Sequence, residues 1–108
     1  MSEGEVVSAC IKWLLANNCF IWRNNSGAFK ASHGNFIRFG KKGSGDIIGL
    51  TPNGRFIAVE CKYADGQMSK EQEEFRKEII KRGGIYIVAR DSAMALEENK
   101  ALILSEYW

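Results

Sequence analysis

The chain has 108 residues, with 15 Lys or Arg against 13 Asp or Glu. That length supports one domain around a single core, and no apolar run approaches the roughly 20 residues of a membrane span. Cys10, Cys19 and Cys61 lack C-x-x-C spacing and indicate neither a disulfide framework nor a zinc site. The start, Met-Ser-Glu-Gly-Glu, has no basic or apolar signal region, so a reducing, cytoplasmic setting is expected.

Ser2-x-x-Glu5 reads as a capping box that opens a helix from Glu3 to about Ala16. Val6, Val7, Cys10, Ile11 and Leu14 form its apolar stripe at about 100° per residue. Glu3 projects onto that stripe and Glu5 onto the opposite side. Glu5 therefore reads as a local cap and Glu3 as an acid on the core face, where the helix dipole favours a carboxylate. The alternative for Glu3 is fraying into solvent. Asn17-Asn18 closes the helix, Phe20 to Arg23 reads as a short strand, Asn24 to Asn35 as a loop and Phe36 to Phe39 as another strand. Gly40 to Gly45 is glycine-rich but lacks the G-x-x-x-x-G-K-[ST] order and a following helix, which excludes a nucleoside triphosphate loop.

The next segment is the most informative. Thr51-Pro52-Asn53-Gly54 matches a type I turn closed by a glycine bulge, the three-residue hairpin loop. Such a loop pairs Thr51 with Arg55, which puts Asp46 opposite Glu60. Directly opposed residues share a face with Cβ atoms roughly 4.5–5.5 Å apart, and Lys62 joins that face by alternation. Ile48, Leu50, Phe56 and Ala58 lie on it too, with Ile47, Ile57, Val59 and Cys61 on the other. Both faces are apolar, so a central hairpin covered on both sides is expected. Two carboxylates that close repel and hold protons unless a cation lies between them. A solvated surface pair is the plainer reading, but charges on a central strand are rarely casual.

After Lys62, Ser69-x-x-Gln72 opens a helix to about Arg82, with Gly83 as its C′ residue. Gln72 shares a face with Phe75 and Ile79, so it serves either the cap or the site. Gly84 to Arg90 follows as an apolar strand, parallel to the Glu60 strand because a helix connects them. Asp91-Ser92 opens a short helix to about Glu98, and Ala101 to Leu104 form an apolar tail. The order predicts an α/β domain on a mixed central sheet flanked by helices.

Charge is unevenly spread. Val6 to Gly45 holds six basic residues (Lys12, Arg23, Lys30, Arg38, Lys41, Lys42) and no acid, whereas Asp46 to Trp108 holds nine basic and eleven acidic residues. The basic stretch is rich in Gly, Asn and Ser and punctuated by Phe29, Phe36 and Phe39, which suits a phosphate backbone. A solvated basic loop is the alternative.

Glu3, Asp46, Glu60 and Lys62 form a coherent chemical set. Oxygen donors suit Mg²⁺ or Mn²⁺, held by Asp46 and Glu60, with the Cys61 backbone carbonyl as an added ligand and Glu3 completing the shell. Such a metal activates water and offsets charge on a phosphodiester. Lys62 would orient that water or stabilise the same charge. Lys62 as a Schiff-base nucleophile is the alternative, but an ammonium beside two carboxylates is a poor nucleophile.

Gly45-Asp46 followed by Val59-Glu60-Cys61-Lys62 resembles the core of PD-(D/E)XK nucleases. Residues 2–92 resemble, more narrowly, the VRR-NUC (virus-type replication-repair nuclease) domain. The carrying features are Glu3, Trp22-Arg23-Asn24-Asn25-Ser26-Gly27, Gly43-Ser44-Gly45-Asp46, Glu60-Cys61-Lys62, Ser69-x-x-Gln72 and Gly83-Gly84. Gly45 departs from the superfamily, which often has proline there. The resemblance implies a restriction-endonuclease-like fold and a Mg²⁺- or Mn²⁺-dependent DNA endonuclease, of bacterial or viral origin, most similar to Holliday-junction resolvases. It implies Glu3, Asp46, Glu60, Lys62 and Gln72 as catalytic positions and Glu3, Asp46, Glu60 and Cys61 around the metal. DNA contacts are expected from Arg23, Asn24, Ser26, Lys30, Arg38, Lys41, Lys42 and Ser44. Paired cuts across a four-way junction imply a two-fold homodimer. The alternatives are a flap or restriction-type nuclease on the same core, or a non-catalytic DNA-binding module.

Overall fold

The computed structural model describes residues 2–25 and 27–108, and gives Ala28, Phe29, Arg38 and Phe39 by backbone alone. Its first half runs α1 (Glu3–Ala16), β1 (Phe20–Arg23), β2 (Gly27–Lys30), β3 (Phe36–Phe39), β4 (Ile47–Leu50) and β5 (Phe56–Lys62). Its second half runs α2 (Lys70–Lys81), β6 (Ile85–Arg90), α3 (Met94–Glu98) and α4 (Lys100–Leu104). This is an α/β arrangement with a mixed four-stranded sheet, ordered β1-β4-β5-β6, flanked by helices. Only β5 and β6 run parallel in it. No helix among the described residues is long and apolar enough to cross a membrane.

Local sequence explains most of these boundaries. Helix α1 starts where the Ser2 hydroxyl accepts from the Glu5 N–H at 3.3 Å. Only this half of the expected capping box forms. It stops at Asn18, whose φ of 61° lets Asn18 N–H reach Leu15 and Cys19 N–H reach Leu14, a Schellman closure. Helix α2 carries a complete capping box from Ser69 and Gln72. It ends on the same closure, with Gly83 N–H bonded to Ile80 and Gly84 N–H to Ile79.

The turn chemistry at Thr51-Pro52-Asn53-Gly54 forms as the sequence predicts. Thr51 N–H reaches Arg55 at 2.9 Å, Gly54 N–H reaches Thr51 at 3.0 Å, and the ladder pairs Leu50 with Phe56 through to Ile47 with Val59. One core forms between the inner sheet face (Ile47, Ile57, Val59, Cys61, Ile85, Ile87, Ala89) and Val6, Val7, Cys10, Leu14, Leu96 and Ile103 of the helices. All three cysteines are free and buried.

Three expectations change. Gly27 to Lys30, read as loop, is strand β2, and it pairs with β3 as a separate two-stranded sheet. The segment read as an apolar tail is helix α4, anchored by fully buried Ile103. The second face of the central hairpin is covered over β5 alone. There Ile57 to Lys62 are all buried, while Leu50 on β4 is 40% exposed.

A candidate metal and phosphodiester site at the end of β4 and β5

The carboxylates converge at the end of the central hairpin, by a route different from simple opposition. Asp46 N–H bonds the Val59 carbonyl at 2.9 Å, although Val59 is the ladder partner of Ile47. Two residues thus face one, a β-bulge that redirects Asp46. Its Oδ2 accepts the Cys61 N–H at 2.7 Å, replacing the backbone acceptor that a regular ladder would supply. Gly45 makes the bulge possible: its φ is +103°, a conformation open to glycine and closed to proline, which is locked near −65°. The glycine at position 45 is therefore a backbone requirement of this chain.

The loop before Asp46 is fixed on both sides. Asn24 N–H bonds the Asp46 carbonyl at 2.7 Å, and the Asn24 amide donates to the Ser44 hydroxyl and to the Gly45 carbonyl. On the other side Gly43 rests against the first turn of α2, where a Cβ would come 2.5 Å from the Glu71 backbone. Ser44 is buried, so Ser44 and Asn24 brace Asp46. The Ser44 hydroxyl accepts one bond inside the loop and keeps its own proton to donate.

Glu60 lies on the neighbouring strand, 4% exposed. Its Oε1 accepts from the Gln72 amide at 2.9 Å and lies 3.7 Å from Lys62 Nζ. Burial, followed by the nearby Asp46 carboxylate, pushes its pKa up to about 8, against the lowering effect of Lys62. Glu3, at the exposed first turn of α1, completes the cluster: one oxygen each from Glu3, Asp46 and Glu60 lie within 4.8 Å of one another. Gln72 serves cap and site together, because its Oε1 accepts from Ser69 N–H at 2.8 Å while its amide holds Glu60.

These donors fit a hard divalent cation. Octahedral Mg²⁺ takes oxygens at 2.0–2.1 Å, which puts neighbouring ligands about 3 Å apart and opposite ones about 4.2 Å apart. Three carboxylate oxygens inside 4.8 Å need little closure to meet that. The Cys61 carbonyl points the same way as the Cys61 N–H, toward Asp46, because one strand residue directs both groups to one edge.

A polar cleft of about 140 Å³ leads to the carboxylates, lined by Arg23, Asn24, Asn25, Gly43, Gly45, Asp46, Glu60 and Gln72. Of the other expected DNA contacts, Lys30 and Lys41 are exposed. Lys42 is paired with Glu71 at 3.3 Å, so its charge is partly engaged. Ser26 and the Arg38 side chain lie outside the described residues.

One residue near the site carried no sequence signal. Tyr86 of β6 lies opposite Ala58, so it shares the Glu60 face, and Phe75 of α2 packs on its ring at 6.2 Å. Its hydroxyl is buried without a hydrogen-bond partner among the described residues. Burial, then Glu60 and Asp46, raises its pKa. A tyrosine within an apolar strand reads as core, and only the parallel register reveals its neighbours. Comparison with family models, curated proteins and solved structures finds no match for this chain.

Proposed function

We propose that this chain is a PD-(D/E)XK-type nuclease of the VRR-NUC kind, hydrolysing DNA phosphodiester bonds with a bound Mg²⁺ or Mn²⁺. The observation that carries this reading is the convergence of the Glu3, Asp46 and Glu60 oxygens beside a lysine 3.7 Å from Glu60.

Glu3, Asp46, Glu60 and the Cys61 carbonyl would hold the cation, which supplies Lewis acidity toward the phosphodiester and toward water. The residues themselves do the positioning. Gln72 and Cys61 N–H fix the Glu60 and Asp46 carboxylates in place before substrate arrives, so little reorganisation is needed. Lys62, 9% exposed on β5, aims an ammonium at the same point, where it stabilises charge developing on the phosphate or orients the attacking water. Arg23 at the cleft mouth, with Lys30 and Lys41, would engage flanking phosphates.

A four-way junction is the proposed preferred substrate, cut by a two-fold homodimer. Met94, Leu102, Tyr107 and Trp108, each exposed, are apolar side chains available to the pairing. The test is cleavage of labelled four-way junction, flap, nicked and linear duplex DNA in Mg²⁺, Mn²⁺ and EDTA. Metal-dependent cutting, fastest on the junction, is expected. No cutting of any substrate with either metal would sink the nuclease reading.

A further inference from the structure

The sheet face that carries Glu60 and Lys62 continues beyond them as an uncovered aromatic surface. Trp22 pairs with Ile48 and Phe20 with Leu50, and these pair in turn with Ala58 and Phe56. Opposed residues share a face, so both rings lie on the Glu60 side of the sheet. Phe20 is 70% and Trp22 49% exposed, and the rings meet edge to face with centroids 5.9 Å apart. By strand spacing Trp22 stands about 12 Å from Glu60. Arg23, the next residue, lines the cleft with Asp46 and Glu60.

Two observations select the occupant. The stretch supplying both rings, Val6 to Gly45, carries six basic residues and no acid, and one of them, Arg23, directly follows Trp22 and lines the cleft, a charge that complements a polyanion. The surface offers rings, and any nucleobase can stack on a ring irrespective of sequence. We propose that unpaired nucleobases of the strand entering the carboxylate site stack on Phe20 and Trp22. This rests on the nuclease reading and adds to it that the substrate is single-stranded next to the cut. Such bases come either from a flap or from the opened centre of a branch.

The test measures binding in EDTA, where cleavage does not contribute. Anisotropy is followed for labelled oligothymidylate and for a blunt duplex with wild type, Phe20→Leu/Trp22→Leu and Phe20→Tyr/Trp22→Tyr. The leucine pair keeps the face apolar and removes the rings; the tyrosine pair keeps them. Loss of one stacked base corresponds to about 5- to 150-fold in affinity. The leucine variant is therefore expected to bind oligothymidylate at least about 10-fold more weakly, with duplex affinity unchanged and the tyrosine variant close to wild type. Quenching of 2-aminopurine, placed in a flap or at a branch point, identifies the source of the stacked base. Equal oligothymidylate affinity for wild type and the leucine variant would overturn the proposal. So would a wild-type dimer that the leucine variant dissociates, which would make this face a contact between copies. Ring-dependent binding without cleavage in any metal would remove the nuclease reading and leave the stacking surface standing.

Discussion

Gln72 holds Glu60 with the same side chain that caps its own helix: its amide donates to Glu60 Oε1 at 2.9 Å and its carbonyl oxygen accepts from Ser69 N–H. The start of α2 and the position of a buried carboxylate are thus one structural unit. Gln72→Glu separates the two roles. Glutamate still completes the capping box, but it removes the donor and adds a fourth acid to Glu3, Asp46 and Glu60. The variant should be less stable than wild type to melting in EDTA, by about 1–3 kcal/mol for a buried group left without its partner. Mg²⁺ should recover much of the difference. A melt unchanged in EDTA would mean that the Gln72–Glu60 bond contributes nothing.

Much of this unit is legible in the sequence, and the remainder is hidden for identifiable reasons. The hairpin register follows from Thr51-Pro52-Asn53-Gly54, because turn chemistry is local. Caps at Ser2 and Ser69 are local as well, although Glu5 does not return the expected bond. The bulge at Asp46 depends on Gly45 at positive φ and on brackets from Asn24 and Gly43, which are tertiary. Strand β2 has four residues and no clear alternation; it exists through its pairing with β3. Helix α4, at five residues, is too short to show a period of 3.6, and burial of Ile103 holds it.

Removing charge without removing shape should separate fold from chemistry. Asp46→Asn can retain an oxygen acceptor for Cys61 N–H and Glu60→Gln keeps its volume. Either should abolish cleavage while circular dichroism and junction binding stay near wild type. Lys62→Ala should lower the rate by on the order of 10²–10³, as for loss of one preorganised group, with metal affinity retained. Isothermal titration with Mn²⁺ and single-turnover rates check all three. Wild-type cutting by either carboxylate variant would reject the metal assignment.

The raised pKa of Glu60, about 8, makes a signed prediction for the metal-free protein. Below about pH 4.5 the carboxyl is protonated whether folded or not, and no stability is at stake. Between there and pH 8 the unfolded chain releases a proton that the native state retains, so this residue lowers stability progressively as pH rises. Above pH 8 the effect levels off. Melting in EDTA from pH 5 to 9 should fall through this window, and Glu60→Gln should flatten the fall. Added Mg²⁺ should stabilise most at the alkaline end, where no proton competes for the carboxylate. A wild-type profile parallel to that of Glu60→Gln would remove Glu60 as the source.

Glu3 and Glu5 sit two residues apart in the first turn of α1, and only Glu3 joins the carboxylate cluster. Glu3→Gln should impair cleavage and weaken Mn²⁺ binding with little change in melting temperature. Glu5→Gln should leave both near wild type, because its side chain makes no cap bond back to Ser2. Activity lost in Glu5→Gln alone would reverse these roles.

The two lysines before Asp46 should differ in their hold on DNA. Lys42 already pairs with Glu71 at 3.3 Å, and Glu71 is held below the usual carboxylate range by the α2 backbone and then by Lys42. A phosphate must compete with that partner. Lys41 is exposed and makes no ion pair within 4.0 Å among the described residues. If both track phosphates, each loss should remove up to about 0.9 from the slope of log affinity against log salt on duplex DNA, uniformly across sequences. Lys41→Ala should approach that value, and Lys42→Ala should fall short of it. Glu71→Gln should strengthen binding by freeing Lys42, an effect that Lys42→Ala cancels. Binding isotherms across salt concentrations, in an Asp46→Asn background that does not cut, provide the measurement. Slopes unchanged in the Lys41→Ala/Lys42→Ala double variant would mean that this basic run is a solvated loop with no part in holding DNA.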